Sequence, residues 1–192
     1  MIKDLITKNR SYRRFENSRK VTRIELEKLI ELARLSGSAS NRQALRFYLV
    51  NTALENEKVF SSLKWAGYLP DWLGPAPAER PSAYIIILKP AELTAYIGHD
   101  TGIACQSILL GAVELGLGGC MFGSVDRPSL QNLLSIPADH AIELVIALGK
   151  PIENIQIEQV SNDDIKYWRD KNQTHHVPKR SLSELIINPT NN

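Results

Sequence analysis

The sequence predicts a single domain that mixes helices with strands, and three stretches carry that expectation. "SAYIIIL", residues 82–88, is a continuous β-branched run that fits a strand covered on both faces. Residues 101–118 are the most apolar long stretch, but Gln106 and Glu114 interrupt it and Asp100 precedes it, so it reads as part of a buried helix from about Ile97 to Leu115 and not a membrane span. "AIELVIALG", from Ala141, reads as a second buried strand. At 192 residues the chain is long enough to bury a core without staples.

The remaining elements fall into place around these. Ile2, Leu5 and Ile6 recur at helical spacing, giving a short helix that ends near Asn9 and leaves Arg10 to Phe15 as irregular chain. Thr22 and Glu25 form a capping box that opens a helix with Leu26, Leu29, Ile30 and Ala33 on its apolar face. "SGSASNRQ", residues 36–43, is too small and polar for a core and must be a loop. A strand from Phe47 to Val50 and a helix of roughly 53–64 follow, then a proline-rich and aromatic stretch over 67–81 that reads as an ordered, lid-like loop. Gly102, Ala104, Gly111 and Ala112 would let another helix approach the long one closely. "GGCMFGS" gives a short strand and turn, and Asp126-Arg127-Pro128 starts a further helix. From Pro151 the chain turns polar, a tail with too few core positions to stabilise itself, expected to lie across the body or a partner.

Charge narrows the function classes. The net charge is only +2, yet residues 1–46 hold twelve Lys/Arg against five Asp/Glu, which points to an anionic partner bound through the N-terminal third. A nucleic-acid binder would be basic overall and would interleave aromatics with its cations, so that class is set aside. Cys105 and Cys120 have no metal-ligand spacing and read as buried thiols in a reducing compartment. Lys3, Asp4 and Lys8 break any secretory apolar core, so the expected location is cytoplasmic, with no membrane partner.

No residue volunteers as a catalyst. Gly116-Leu117-Gly118 follows a helix and precedes a strand, the reverse of a dinucleotide fingerprint. Ser61 to Lys64 matches SxxK without its companion motifs. His175 and His176 point apart on extended chain and no ligand stands at metal spacing, so no metal is expected. His99-Asp100 reads as a hydrogen-bonded core or interface feature. What remains is "NRSYRRF", three guanidinium groups and a hydroxyl that form either a solvated turn or a phosphate seat. Lys179-Arg180 is a second cationic pair, beside a capping box from Ser181 to Glu184 whose helix N-terminus would suit phosphate. An anion seat and glycine-lined backbone without acid, base or metal leave the chemistry to a bound cofactor.

"NRSYRRF", "SGSASNRQ", "DTGIACQSILLGAVELGLGGCMFGSVDR", "ALGKP" and "VPKRSLSELI" resemble, in that order and over nearly the whole chain, the nitroreductase-like FMN-dependent oxidoreductases. The resemblance implies an α+β fold with a central, mostly antiparallel sheet flanked by helices, the long helix at a dimer interface and an extended C-terminal tail. It implies an FMN-binding core over 1–150, a 151–192 extension packing on the core or the partner and contributing to the phosphate site, and a homodimer with FMN sites at the interface. Arg10, Ser11 and Arg13 would bind the FMN phosphate and ribityl oxygens, and Lys179 and Arg180 would close that site. Ser38, Asn41 and Gln43 would contact flavin, in part from the partner subunit. The backbone of Phe122 and Gly123 would face flavin N5 and O4, and Lys64 the pyrimidine edge. The implied activity is a ping-pong hydride transfer from NADH or NADPH to FMN, then to a nitroaromatic, quinone or enone. A flavin-binding storage or sensing module without turnover is the alternative. Gly37 stands where the family often has Pro, and Ala44-Leu45 where it often has Pro-Trp.

Overall fold

The computed structural model describes residues 1–188, which fall into two compact units. Met1–Trp65 with Leu73–Ile152 form the first, and Ala66–Trp72 with the chain from Glu153 onward form the second.

In the first unit, strands β1 (Arg46–Val50), β2 (Ala83–Pro90), β3 (Gly118–Phe122) and β4 (His140–Gly149) make one sheet in the order β1-β2-β4-β3, every pair antiparallel. Helices α1 (Ile2–Lys8), α2 (Arg23–Leu35), α3 (Ala53–Ser61), α4 (Gly98–Glu114) and α5 (Arg127–Leu133) flank it. Side chains alternate across a strand, so β2 feeds two cores. Tyr84, Ile86 and Leu88 pack with Val59 of α3, Leu130 of α5 and Leu134 just beyond it, while Ala83, Ile85 and Ile87 pack with Leu26, Leu29, Cys105 and Ile108 from α2 and α4. This is why the 82–88 run has no polar face.

The local signals act as expected. Thr22 Oγ1 accepts from the Glu25 amide at 3.2 Å and Glu25 Oε2 accepts from the Thr22 amide at 2.8 Å. The Arg19 guanidinium, also bonded to Glu25, holds that carboxyl down to about 2. A Cβ on Gly111 would collide with the Leu32 side chain, so the glycine is what lets α2 and α4 pack together. Gly116, at φ +71°, ends α4. Asp126 Oδ1 caps α5 by accepting from the Ser129 amide at 3.2 Å. Both cysteines are free and buried, and burial pushes the Cys105 thiol up to about 12.

Three expectations change. α3 stops at Ser61, not near 64, because Leu63 bridges Val125 and the Lys64 amide donates to Ser124 O at 3.1 Å, a tertiary pairing that outweighs helix propensity. The 67–81 stretch is not one lid. Its part from Leu73 is fastened to the first unit by amides of Phe15 and Asn17 donating to Glu79 O (2.8 Å) and Ala78 O (3.1 Å), while Ala66–Trp72 belongs to the second.

The C-terminal region also has structure of its own. β5 (Ile155–Gln159), β6 (Trp168–Arg169) and β7 (His175–Lys179) form a sheet in the order β5-β7-β6, followed by α6 (Leu182–Leu185). Its cohesion is polar and aromatic, which apolar periodicity does not register. The Trp168 and His176 rings stack at 3.9 Å, His176 Nδ1 pairs with the Glu158 carboxylate, and Arg169 meets Glu153 at 2.8 Å with both side chains nearly buried. Among the described residues no His/Cys/Asp/Glu group could hold a metal ion, and no helix is long and apolar enough to cross a membrane.

Candidate functional site

The basic loop is laid along the outer edge of β3. Ser11 bridges Gly119 in parallel, the Tyr12 amide donates to Gly119 O at 3.0 Å, and buried Phe15 bridges Pro151. Gly118 permits this approach: a Cβ there would stand 2.6 Å from both the Tyr12 ring and Pro151. What this glycine accommodates is therefore the Tyr12 ring. Arg10 anchors one guanidinium nitrogen on Ile6 O at 2.8 Å, while its Nε is buried without a protein partner. Arg13 donates to Ser11 O at 3.2 Å. Arg14 is committed elsewhere, gripping Glu79 through two bonds of 2.7 and 2.6 Å.

The other end of β3 carries the second group of expected residues. Phe122 is buried against Trp65, ring centroids 4.6 Å apart. Gly123 is exposed, with nothing within 4 Å of where a Cβ would stand. Exposed Lys64 is held beside this turn by its amide bond to Ser124. Three strand steps separate Gly119 from Phe122, about 10 Å. One strand thus carries Arg10, Ser11 and Arg13 at its start and Phe122, Gly123 and Lys64 at its end.

The loop holding Ser38, Asn41 and Gln43 is strained and braced. Ser40, Asn41 and Gln43 sit at φ +53°, +51° and +49°, a region that side chains other than glycine rarely enter. Asp100, in the first turn of α4, holds the loop: Ser38 Oγ donates to Oδ2 at 2.6 Å and the Ala39 amide to Oδ1 at 3.0 Å. The Gln43 amide donates to Ser38 Oγ at 3.0 Å, and Gln43 Nε2 to Asn41 Oδ1 at 3.0 Å. The Ser38 hydroxyl, then the Ala39 amide, hold the Asp100 carboxyl below the usual carboxylate range. Sequence reasoning named the loop residues but missed Asp100 as their support; its one signal was a carboxylate on an otherwise apolar helix. Beside the loop lies a cleft of about 250 Å³ lined largely by Ile30, Ala33, Gly37, Leu45, Phe47 and Ala104.

Within one chain these two sets do not converge. The 38–43 loop leads into β1, the basic loop pairs with β3, and these are opposite edges of the sheet, about 14 Å apart across three strand spacings. In the second unit, Lys179 ends β7, exposed and without an ion pair among the described residues. Arg180 pairs with Asp163 at 2.5 Å and Glu184 at 3.4 Å. Glu184 Oε2 also accepts from the Ser181 amide at 2.8 Å, and α6 has only four residues. The expected anion place at that helix start is therefore taken by the chain's own carboxylate.

An antiparallel sheet between two helical layers, with a basic loop pinned on one edge strand and a strained polar loop at the other, defines a class of α+β protein with a divided polar site. The chain belongs to the Nitroreductase family, whose model matches residues 6–150. It is 28% identical over 146 residues to an Archaeoglobus fulgidus protein described as an NADH dehydrogenase/NAD(P)H nitroreductase, covering 72% of this chain and 79% of that one. It is 27% identical over 111 residues to an NADPH-flavin oxidoreductase of Vibrio harveyi, covering 49% of this chain and 46% of that protein. Among solved structures, an FMN-dependent nitroreductase from Clostridium difficile superposes with a TM-score of 0.65 at 22% identity, covering 85% of this chain and 92% of the other. That likeness is one of fold.

Proposed function

We propose that the chain is an FMN-dependent NAD(P)H oxidoreductase acting as a homodimer. The carrying observation is the alignment on β3 of a basic loop whose Arg10 Nε is buried and unpartnered with an open glycine turn at Gly123. Family membership and the flavin-linked names of the relatives support the same reading.

The residues fit the cofactor. Arg10, Ser11 and Arg13 seat its phosphate, the orphaned Nε–H supplying a charge-assisted donor, and Lys179 adds a cation, with Arg180 closing the seat if its carboxylate partners yield. The amides of Phe122 and Gly123 line the reacting edge, where fixed dipoles stabilise charge without a titrating group. Lys64 supplies positive charge at the pyrimidine edge. Bound FMN would supply the redox chemistry, taking hydride from NAD(P)H and passing electrons in a second half-reaction to a nitroaromatic, quinone or enone. Ser38, Asn41 and Gln43, on the far edge of the sheet, reach a flavin only from a second copy, which is the reason for the dimer.

The absorption spectrum tests cofactor binding: protein loaded with FMN and freed of excess is expected to stay yellow and to bleach anaerobically with NADH or NADPH. A protein that stays colourless overturns the reading, and one that is yellow but does not bleach is the storage or sensing module.

A further inference from the structure

A second cleft, this one polar, lies on the opposite face of the first unit's sheet from α2 and α4, between α3 and the start of β2. It holds about 190 Å³ and is lined by residues that include Lys20, Asn56, Glu57, Phe60, Arg80 and Tyr84. Three of these present a buried polar atom without a protein partner: Asn56 Oδ1, Arg80 Nε and Tyr84 Oη. Tyr84 is fully buried, its ring part of the core. Buried polar atoms need hydrogen-bond partners, so the cleft offers three contacts to a complementary occupant.

The polarity of each atom is fixed by its neighbours. Asn56 Nδ2 donates to Ser82 O at 2.9 Å, so its Oδ1 is an acceptor. The Arg80 guanidinium lies 3.9 Å over the Phe60 ring and donates to Glu57 at 2.6 Å, which leaves Nε–H as a donor. Burial pushes the Tyr84 hydroxyl up, so it stays protonated and can donate. Lys20 is tethered to Asn17 Oδ1 at 2.7 Å, and Asn17 in turn donates to Arg80 O at 3.0 Å. Lys20 and Arg80 against Glu57 leave one positive charge.

We infer that this cleft binds a small oxyanion that keeps a proton, of the hydrogen-phosphate class. Arg80 Nε and Tyr84 Oη donate to its oxygens, Lys20 contributes charge, and Asn56 Oδ1 accepts from its P–OH. The acceptor is the selective element, because sulfate has no proton to offer at neutral pH and would face Asn56 Oδ1 with a lone pair. A phosphate monoester, with a second pKa of about 6, loses its proton above pH 7, whereas inorganic phosphate keeps one.

The test measures thermal stability of the full chain in phosphate-free buffer at pH 7.5, with phosphate, sulfate or methyl phosphate added at equal ionic strength, since an anion that binds the native state raises the melting temperature. Phosphate is expected to raise it more than sulfate; a surplus with methyl phosphate equal to that with phosphate would assign the site to esters lacking the proton and overturn the Asn56 contact. Tyr84→Phe should cost about tenfold in phosphate affinity, while Arg10→Ala, which lies in the other anion seat, should keep the surplus. Equal responses to phosphate and sulfate, or a surplus that survives Tyr84→Phe, overturn the proposal. Should Tyr84→Phe not fold, a crystal of the unaltered protein grown in phosphate decides: an anion within hydrogen-bond reach of Arg80 Nε and Asn56 Oδ1 supports the site, and water alone there rejects it.

Discussion

Ser38 Oγ donates to Asp100 Oδ2 at 2.6 Å, tying a strained loop to the first turn of α4 across 62 positions of sequence. The same carboxylate takes the Ala39 amide, so one side chain holds the entrance of the segment that carries Asn41 and Gln43. Asp100→Ala would leave both donors unpaired, and FMN affinity is expected to fall by about tenfold. Fluorescence titration with FMN measures it. The carboxyl is held below its ordinary value, so its contribution is complete above the usual carboxylate range and disappears as pH falls through the lower, folded value. Urea midpoints taken from pH 6 down to pH 3 should therefore drop more steeply in the unaltered protein than in Asp100→Asn.

Arg10 and Arg14 stand four residues apart and should behave oppositely. Arg10→Ala removes the guanidinium whose Nε has no protein partner and should lower FMN affinity at least about tenfold with little change in stability. Arg14→Ala breaks a two-bond, partly buried pair with Glu79 and should cost about 1–3 kcal/mol of stability while FMN is retained. Denaturant titration with and without FMN separates the two.

Gly118 and Gly123 make a second contrasting pair. Gly118→Ala drives a Cβ into the Tyr12 ring, so it should destabilise by about 1–3 kcal/mol and displace the basic loop. Gly123→Ala meets open space, so stability should be unchanged, and only FMN binding or its reduction rate should suffer. If Gly123→Ala binds and turns over normally, the flavin edge lies elsewhere.

Subunit mixing tests the divided site. Arg10→Ala chains and Asn41→Ala/Gln43→Ala chains should each bind FMN weakly alone. After exchange, half the dimers carry one intact site, restoring about a quarter of all sites. Native mass spectrometry that finds mixed dimers with no recovered binding would place both sets in separate functions.

Lys179→Ala should weaken FMN binding more than Arg180→Ala does, because Arg180 already satisfies Asp163 and Glu184. Equal losses in an FMN titration would mean that the Asp163 pair opens when the cofactor binds.

Local chemistry was legible wherever a residue's neighbours in sequence decide its conformation. The Thr22 and Asp126 caps, the Gly116 stop, the two-sided burial of β2 and the Arg10–Arg13 loop follow from spacing alone, because capping, side-chain alternation and positive φ act within a few residues. The end of α3 and the sheet of β5, β6 and β7 were not legible, since they depend on partners dozens of residues away and on polar or stacking contacts without a period. The strain at Ser40, Asn41 and Gln43, and the carboxylate that braces it, are likewise tertiary. What the sequence determined by itself was the inventory: a basic loop, a buried helix and two strands with no polar face. Only the tertiary structure decided that the basic loop and the polar loop occupy opposite edges of one sheet, because strand order is set by long-range pairing that no local propensity encodes.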